Sequence, residues 1–146
     1  MNPAASAPQA TVFFCHGSRD PQWRAPFDLL AAAYQARVPQ QQVRLAFLEL
    51  MTPELPAVLA ELAAAGVGRA RIVPIFLAPG AHTRRDLPAL VAQARRDCPH
   101  LQVEILPTLL ESEVLRASVV DALQSALEAG PLEAVITQAH NVTPIK

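Results

Sequence analysis

Four short apolar runs, each followed by a stretch with helical spacing, constrain this chain more than any other feature of it. The runs are Thr11-Val12-Phe13-Phe14-Cys15, residues 43–50 around Leu45-Ala46-Phe47-Leu48, residues 71–77 around Ile72-Val73-Pro74-Ile75-Phe76, and residues 102–106. Short apolar runs bounded by glycine, proline or polar residues are what strands buried on both faces of a parallel sheet look like. The first intervening helix is expected over 22–37, where Trp23, Phe27, Leu30 and Tyr34 recur every three to four residues and Pro39 follows. Thr52 then reads as an N-cap with Pro53 at the first helical position; Leu55, Val58, Leu59 and Leu62 form the stripe and Gly66 the stop. A third helix is expected over 84–97, where Pro88 is tolerable only in the first turn. Thr108 and Glu111 have capping-box spacing for a fourth, reaching residue 129 before Gly130-Pro131. Pro74, lacking an amide donor, predicts a bend or an unpaired position in the third strand.

No two runs are joined by a tight hairpin, so the alternation predicts an α/β sandwich with a parallel sheet and right-handed crossovers. At 146 residues and 51% hydrophobic content the chain fits one such domain with a full core. Its expected limits are 11–130, after a flexible Ala/Pro/Ser-rich segment 1–10 and before a tail 131–146 whose apolar stretch 134–136 has the length of a short extra strand. Twelve basic against thirteen acidic side chains leave a formal charge of −1, no footprint for a nucleic-acid polyanion. No apolar run approaches the ~18 residues that span a bilayer, and the start lacks a signal peptide's pattern, so a cytoplasmic protein without membrane or nucleic-acid partners is expected. Cys15 and Cys98 form no CxxC pair and read as reduced residues, with Cys15 in the core.

In open parallel sheets ligands bind just beyond the carboxyl ends of the strands. That rule gathers His16 after strand one, Glu49 at the end of strand two, and Gly80, Ala81 and His82 after strand three onto one edge. Two imidazoles and a carboxylate on a common rim suit a first-row divalent metal with coordination positions left open. Gly17 and Gly80 read as turn glycines at positive φ, as positions where a ligand approaches closely, or as both. Arg19, Arg84 and Arg85 are either solvated charges or binders of an anionic ligand, and Glu49 either caps a helix or takes protons. His100 falls on the opposite edge and His140 in the tail, so both read as structural. A Cys-x5-Arg phosphatase loop would need arginine in place of Pro21, and Ser18 lacks the Gly-x-Ser-x-Gly elbow.

In order and spacing, His16-Gly17-Ser18-Arg19-Asp20, then Phe47-Leu48-Glu49, then the run from Pro74 through Gly80-Ala81-His82-Thr83-Arg84-Arg85 to Pro88 resemble the class II tetrapyrrole chelatases. The resemblance is to the short form of the sirohydrochlorin cobaltochelatase and ferrochelatase family, and it covers residues 11–129. It implies a flavodoxin-like three-layer sandwich with a parallel sheet of about four strands. It also implies that His16 and His82 match the paired metal-binding histidines and that Glu49 matches an acidic position. The substrates implied are a sirohydrochlorin-type tetrapyrrole and Co2+ or Fe2+, with Ni2+ acceptable to the same ligands, and no organic cofactor. Ser18, Arg19, Gly80, Arg84 and Arg85 are the candidate contacts for the ring's carboxylates. Longer relatives carry two such halves, so a homodimer is implied. The chain departs from the family pattern at Cys15, where a small residue or glycine is common, and at Ala78-Pro79. A metal carrier using the same histidines without catalysis is the rival reading, and a purely structural partner domain is the third.

Overall fold

A computed structural model describes residues 8–130 of the chain. Its elements run β1 (Gln9–Cys15), a 3-10 turn (Pro21–Arg24), α1 (Ala25–Arg37), β2 (Gln42–Phe47), α2 (Leu55–Ala64), β3 (Arg69–Pro74), α3 (Ala81–Asp97), β4 (Gln102–Ile105) and α4 (Glu113–Glu128). The strands form one sheet in the order β2-β1-β3-β4, and every pairing is parallel. The expected flanked parallel sheet is what forms, although β1 starts at Gln9 rather than Thr11. The expected strand at 134–136 lies outside the described residues.

The alternation of β1 explains the layering. Val12 and Phe14 enter a core with Leu55, Val58, Leu59 and Leu62 of α2 and Leu87, Val91 and Ala94 of α3. Phe13 and Cys15 point the other way, into a second core with Ala31 of α1 and Leu45 and Phe47 of β2. A strand with period-two side chains, apolar on both faces, must lie between two helical layers. α2 ends as its glycine predicts: Gly66 adopts φ 76, and the Gly66 and Val67 amides donate to the Ala63 and Leu62 carbonyls at 3.0 Å.

Four local expectations need correction. α2 is not capped by Thr52 with Pro53 at the first helical position; its N-cap position is Glu54, because the Pro53 carbonyl accepts the Phe47 amide at 2.9 Å and extends the edge of β2. α3 begins at Ala81, so Pro88 lies inside the helix rather than in its first turn, leaving the Arg84 carbonyl without its helical donor. α4 is capped by Ser112, whose Oγ accepts from the Leu115 amide at 3.3 Å, not by Thr108. On α1 the buried residues are Asp28 and Ala31, while Trp23 and Leu30 stay exposed. Asp28 can be buried because the Arg24 guanidinium binds it at 3.2 Å.

Pro74 fits without a kink in the sheet. The Ile75 amide donates to the Phe14 carbonyl at 2.8 Å, so the position of Pro74 faces β4, which ends there. α4 buries none of its residues: Val114, Val120, Leu123 and Leu127 are 75%, 56%, 58% and 82% exposed. On the α1 side of the sheet, the β3–β4 strip is charged, with Arg69 and Arg71 at 3.4 and 3.7 Å from Glu104.

Candidate active site at the carboxyl edge of the sheet

β1 occupies an interior position of the sheet and delivers His16 directly after its last residue. Alternation sends Cys15 inward and His16 outward. Burial pushes the Cys15 thiol up to about 12, which favours the protonated form and fits a packing role in the core. The His16 ring is exposed to solvent and lies 4.3 Å, centroid to centroid, from Phe76 at an interplanar angle of 36°. Phe76 is itself buried and meets Phe14 edge-on at 5.7 Å. The His16 carbonyl accepts a hydrogen bond from Trp23 Nε1 at 2.9 Å. The imidazole therefore rests on a core aromatic while its backbone is tied from the opposite flank.

The Leu48 amide continues the β1–β2 pairing by donating to the Cys15 carbonyl at 2.8 Å, which brings the two following loops together. Their contact is made at Gly17, where a Cβ would stand 1.6 Å from the Glu49 carbonyl oxygen. Gly17 is thus needed for the approach of the Glu49 backbone, neither of the two reasons expected, and it lacks the positive φ, since the positive-φ glycines are Gly66 and Gly130 among the described residues. Glu49 lies two residues past the end of β2, exposed at the rim. Its carbonyl also accepts the Met51 amide at 2.8 Å, closing a three-residue turn around Leu50, which takes φ 61. A branched aliphatic side chain at positive φ costs on the order of 1 kcal/mol. Ser18, Arg19, Leu50 and Met51 line an open cavity of about 590 Å³ beside this turn. Arg24, on its wall, is already engaged by Asp28 and by the Thr52 carbonyl at 3.3 Å.

On the other flank, Gly80 holds the N-cap position of α3 at φ −76 and ψ 165, ordinary extended backbone. The positive φ expected there is absent, and a Cβ would meet only Thr83 Oγ1 at 3.9 Å. His82 lies in the first turn of α3 rather than in a loop, followed by the exposed Arg84 and Arg85. The helix has no side-chain cap. The segment after β4 joins the same edge, since the Leu109 and Leu110 amides donate to the Phe76 and Leu77 carbonyls at 3.1 and 3.0 Å. There Glu111 Oε2 accepts from both the hydroxyl and the amide of Thr108, at 2.8 and 3.0 Å. Those bonds, helped by the Arg84 charge, hold the Glu111 carboxyl below its usual range.

His16, Gly17, Ser18, Arg19 and Glu49 are thus brought together by direct contacts between the β1 and β2 loops. Gly80, the backbone of His82, Arg84 and Arg85 reach the edge through α3. His100 sits in the turn between α3 and β4, at the other end of the sheet, and His140 lies outside the described residues. Among the described residues no three His, Cys, Asp or Glu side chains are grouped closely enough to hold a metal ion. Three participants were not legible as such in the sequence. Phe76 reads as a strand residue and Trp23 as helix stripe, and Glu111 reads as half of a capping box.

The family model for CbiX matches residues 10–126. The chain belongs to the CbiX family. It is 34% identical over 82 residues to the sirohydrochlorin cobaltochelatase of Methanopyrus kandleri, a stretch covering 56% of this chain and 57% of the relative. It is 36% identical over 76 residues to the enzyme of that name from Saccharolobus islandicus, covering 52% and 58%. The matches thus span little more than half of those relatives. Among solved structures, a putative cobalamin biosynthesis CbiX protein from Marinobacter aquaeolei superposes with a TM-score of 0.71 at 25% identity, over 84% of this chain and 100% of that one. The sirohydrochlorin chelatase SirB from Bacillus subtilis subspecies spizizenii, in complex with cobalt, gives 0.62 at 25% identity, over 68% of this chain but 43% of SirB.

Proposed function

We propose that this chain inserts a divalent metal, Co2+ or Fe2+, into a sirohydrochlorin-type tetrapyrrole, with His16, His82 and Glu49 handling the metal and the displaced protons. The observation that carries the reading is the exposed His16 imidazole, fixed between Phe76 and the Trp23-bound loop at the carboxyl edge of a CbiX-family sheet. The names of its relatives supply the substrate class. Insertion requires the ion to shed waters and the macrocycle to shed two pyrrole protons. Neutral imidazoles replace some of the waters and leave most of the coordination sphere open, so the ion is passed on rather than trapped. His and Glu side chains then accept the protons. In this reading Ser18 and Arg19, which line a cavity, and Arg84, Arg85 and the uncapped amides of α3 beyond Gly80 supply the donors for the ring carboxylates. The ligand set accepts cobalt, iron and nickel in an affinity order set by the ions themselves, so supply and geometry choose among them.

The reading extends to a homodimer joined through α4. Among the described residues the helix buries none of its own, the β3–β4 strip carries Arg69, Arg71 and Glu104, and SirB is matched over under half its length. Two free cysteines, one at a core strand end, suit the reducing cytoplasm, and no described helix is long and apolar enough to cross a membrane.

The test is to mix the purified protein with metal-free sirohydrochlorin and Co2+ or Fe2+ and follow the absorbance change. His16→Ala and His82→Ala are each expected to lower the rate at least about 100-fold. A wild-type rate equal to the uncatalysed one rejects the enzyme. Co2+ binding that needs both histidines, without insertion, would establish the metal carrier instead.

A further inference from the structure

Leu50 and Leu77 stand well exposed on this rim, more so than Leu110 beside them. Leu50 is 60% and Leu77 64% exposed. The sheet order puts β1 between β2 and β3, so Leu50, just past β2, and Leu77, just past β3, flank the loop that carries His16. Single exposed leucines are commonplace. This pair differs in two respects. Leu50 shares a cavity with Ser18 and Arg19, and it occupies a positive-φ position that glycine or asparagine fills at lower cost. Leu77 is equally fixed, because its carbonyl is held by the Leu110 amide and its neighbour Phe76 carries the His16 ring.

We propose that Leu50 and Leu77 are substrate-positioning residues, two apolar props on either side of His16 against which the flat face of the tetrapyrrole lies. The inference rests on the chelatase reading and adds to it how the ring is held. A conjugated macrocycle has a broad apolar face and a charged periphery. Apolar contacts flanking the metal-handling imidazole, with Ser18 and Arg19 in the cavity that Leu50 shares, supply both kinds of surface. The turn at Leu50, closed by the Met51–Glu49 hydrogen bond, fixes the backbone that carries this exposed side chain, which lowers the ordering cost of a contact there.

The experiment compares wild type with Leu50→Asn, Leu77→Asn, the double variant and Leu50→Met. Asparagine tolerates positive φ, and both sites are exposed, so folding is retained and is checked by thermal melting. Binding of metal-free sirohydrochlorin is measured by fluorescence titration, Co2+ affinity by calorimetry, and KM and kcat by the insertion assay. Each asparagine is expected to weaken ring binding about tenfold and to raise KM by more than it lowers kcat, leaving Co2+ affinity unchanged. Leu50→Met restores ring binding to near the wild-type value. Wild-type ring affinity in both asparagine variants overturns the inference while leaving the chelatase reading intact. A shift in oligomeric state without a change in ring affinity assigns the leucines to a subunit contact and also overturns it. Failure of the wild-type protein to bind the ring at all overturns both.

Discussion

At Gly17 a hydrogen atom is all that separates the loop bearing His16 from the carbonyl of Glu49. An alanine methyl would stand 1.6 Å from that oxygen and 2.8 Å from its carbon, and both neighbours are backbone. Gly17→Ala is therefore expected to destabilise the fold by about 1–3 kcal/mol, read from the urea midpoint. It should also lower kcat/KM at least about tenfold by moving His16 away from Glu49. Gly80→Ala, with 3.9 Å to its nearest neighbour, is the contrast and should leave stability within about 0.5 kcal/mol. The sequence marks Gly17 clearly, as the glycine after an apolar run, but not its reason, because the atom that forbids a side chain belongs to another strand's loop. His16 is legible as a candidate for the opposite reason: its place at a strand end is something that local pattern reveals. Phe76 and Trp23 escape notice because what they do for His16 is a matter of distance, not spacing.

The helices begin where the sheet lets them. Thr52-Pro53 and Thr108 to Glu111 both carry good local starting signals, and both are taken instead by backbone pairing along the carboxyl edge. Phe47 binds the Pro53 carbonyl, and Leu109 and Leu110 bind the carbonyls of Phe76 and Leu77. Local capping contributes about 1 kcal/mol, and an orphaned strand-end amide costs at least as much, so the ladder wins. At Thr108 the cap survives in miniature, with Glu111 folding back on its amide and hydroxyl. α3 shows a cost that was not removed. Pro88 sits within the helix, and Pro88→Ala restores a donor for the Arg84 carbonyl. We expect a gain of about 1–3 kcal/mol in unfolding free energy, measured by urea denaturation. On α1, periodicity identifies the helix but misplaces part of its buried face, since an Arg24–Asp28 pair takes positions that a hydrophobic count assigns to solvent.

For the molecule as a whole, strand alternation is enough to specify the parallel sheet, and with it the edge at which the candidate site is sought, because crossover rules leave few other topologies. The placement of α4 was not legible, since its apolar residues look like those of any core helix. Among described residues it is the helix that buries nothing, and the charged strip of Arg69, Arg71 and Glu104 offers it no apolar bed. If α4 joins two copies, replacing Leu123 and Leu127 with glutamate should halve the mass seen by light scattering. A wild-type protein that is monomeric at micromolar concentration would refute that arrangement. The exposed helix has one more consequence. If α4 completes its burial only by meeting a second copy, mass action enters the unfolding equilibrium, and the melting temperature climbs as the solution is made more concentrated.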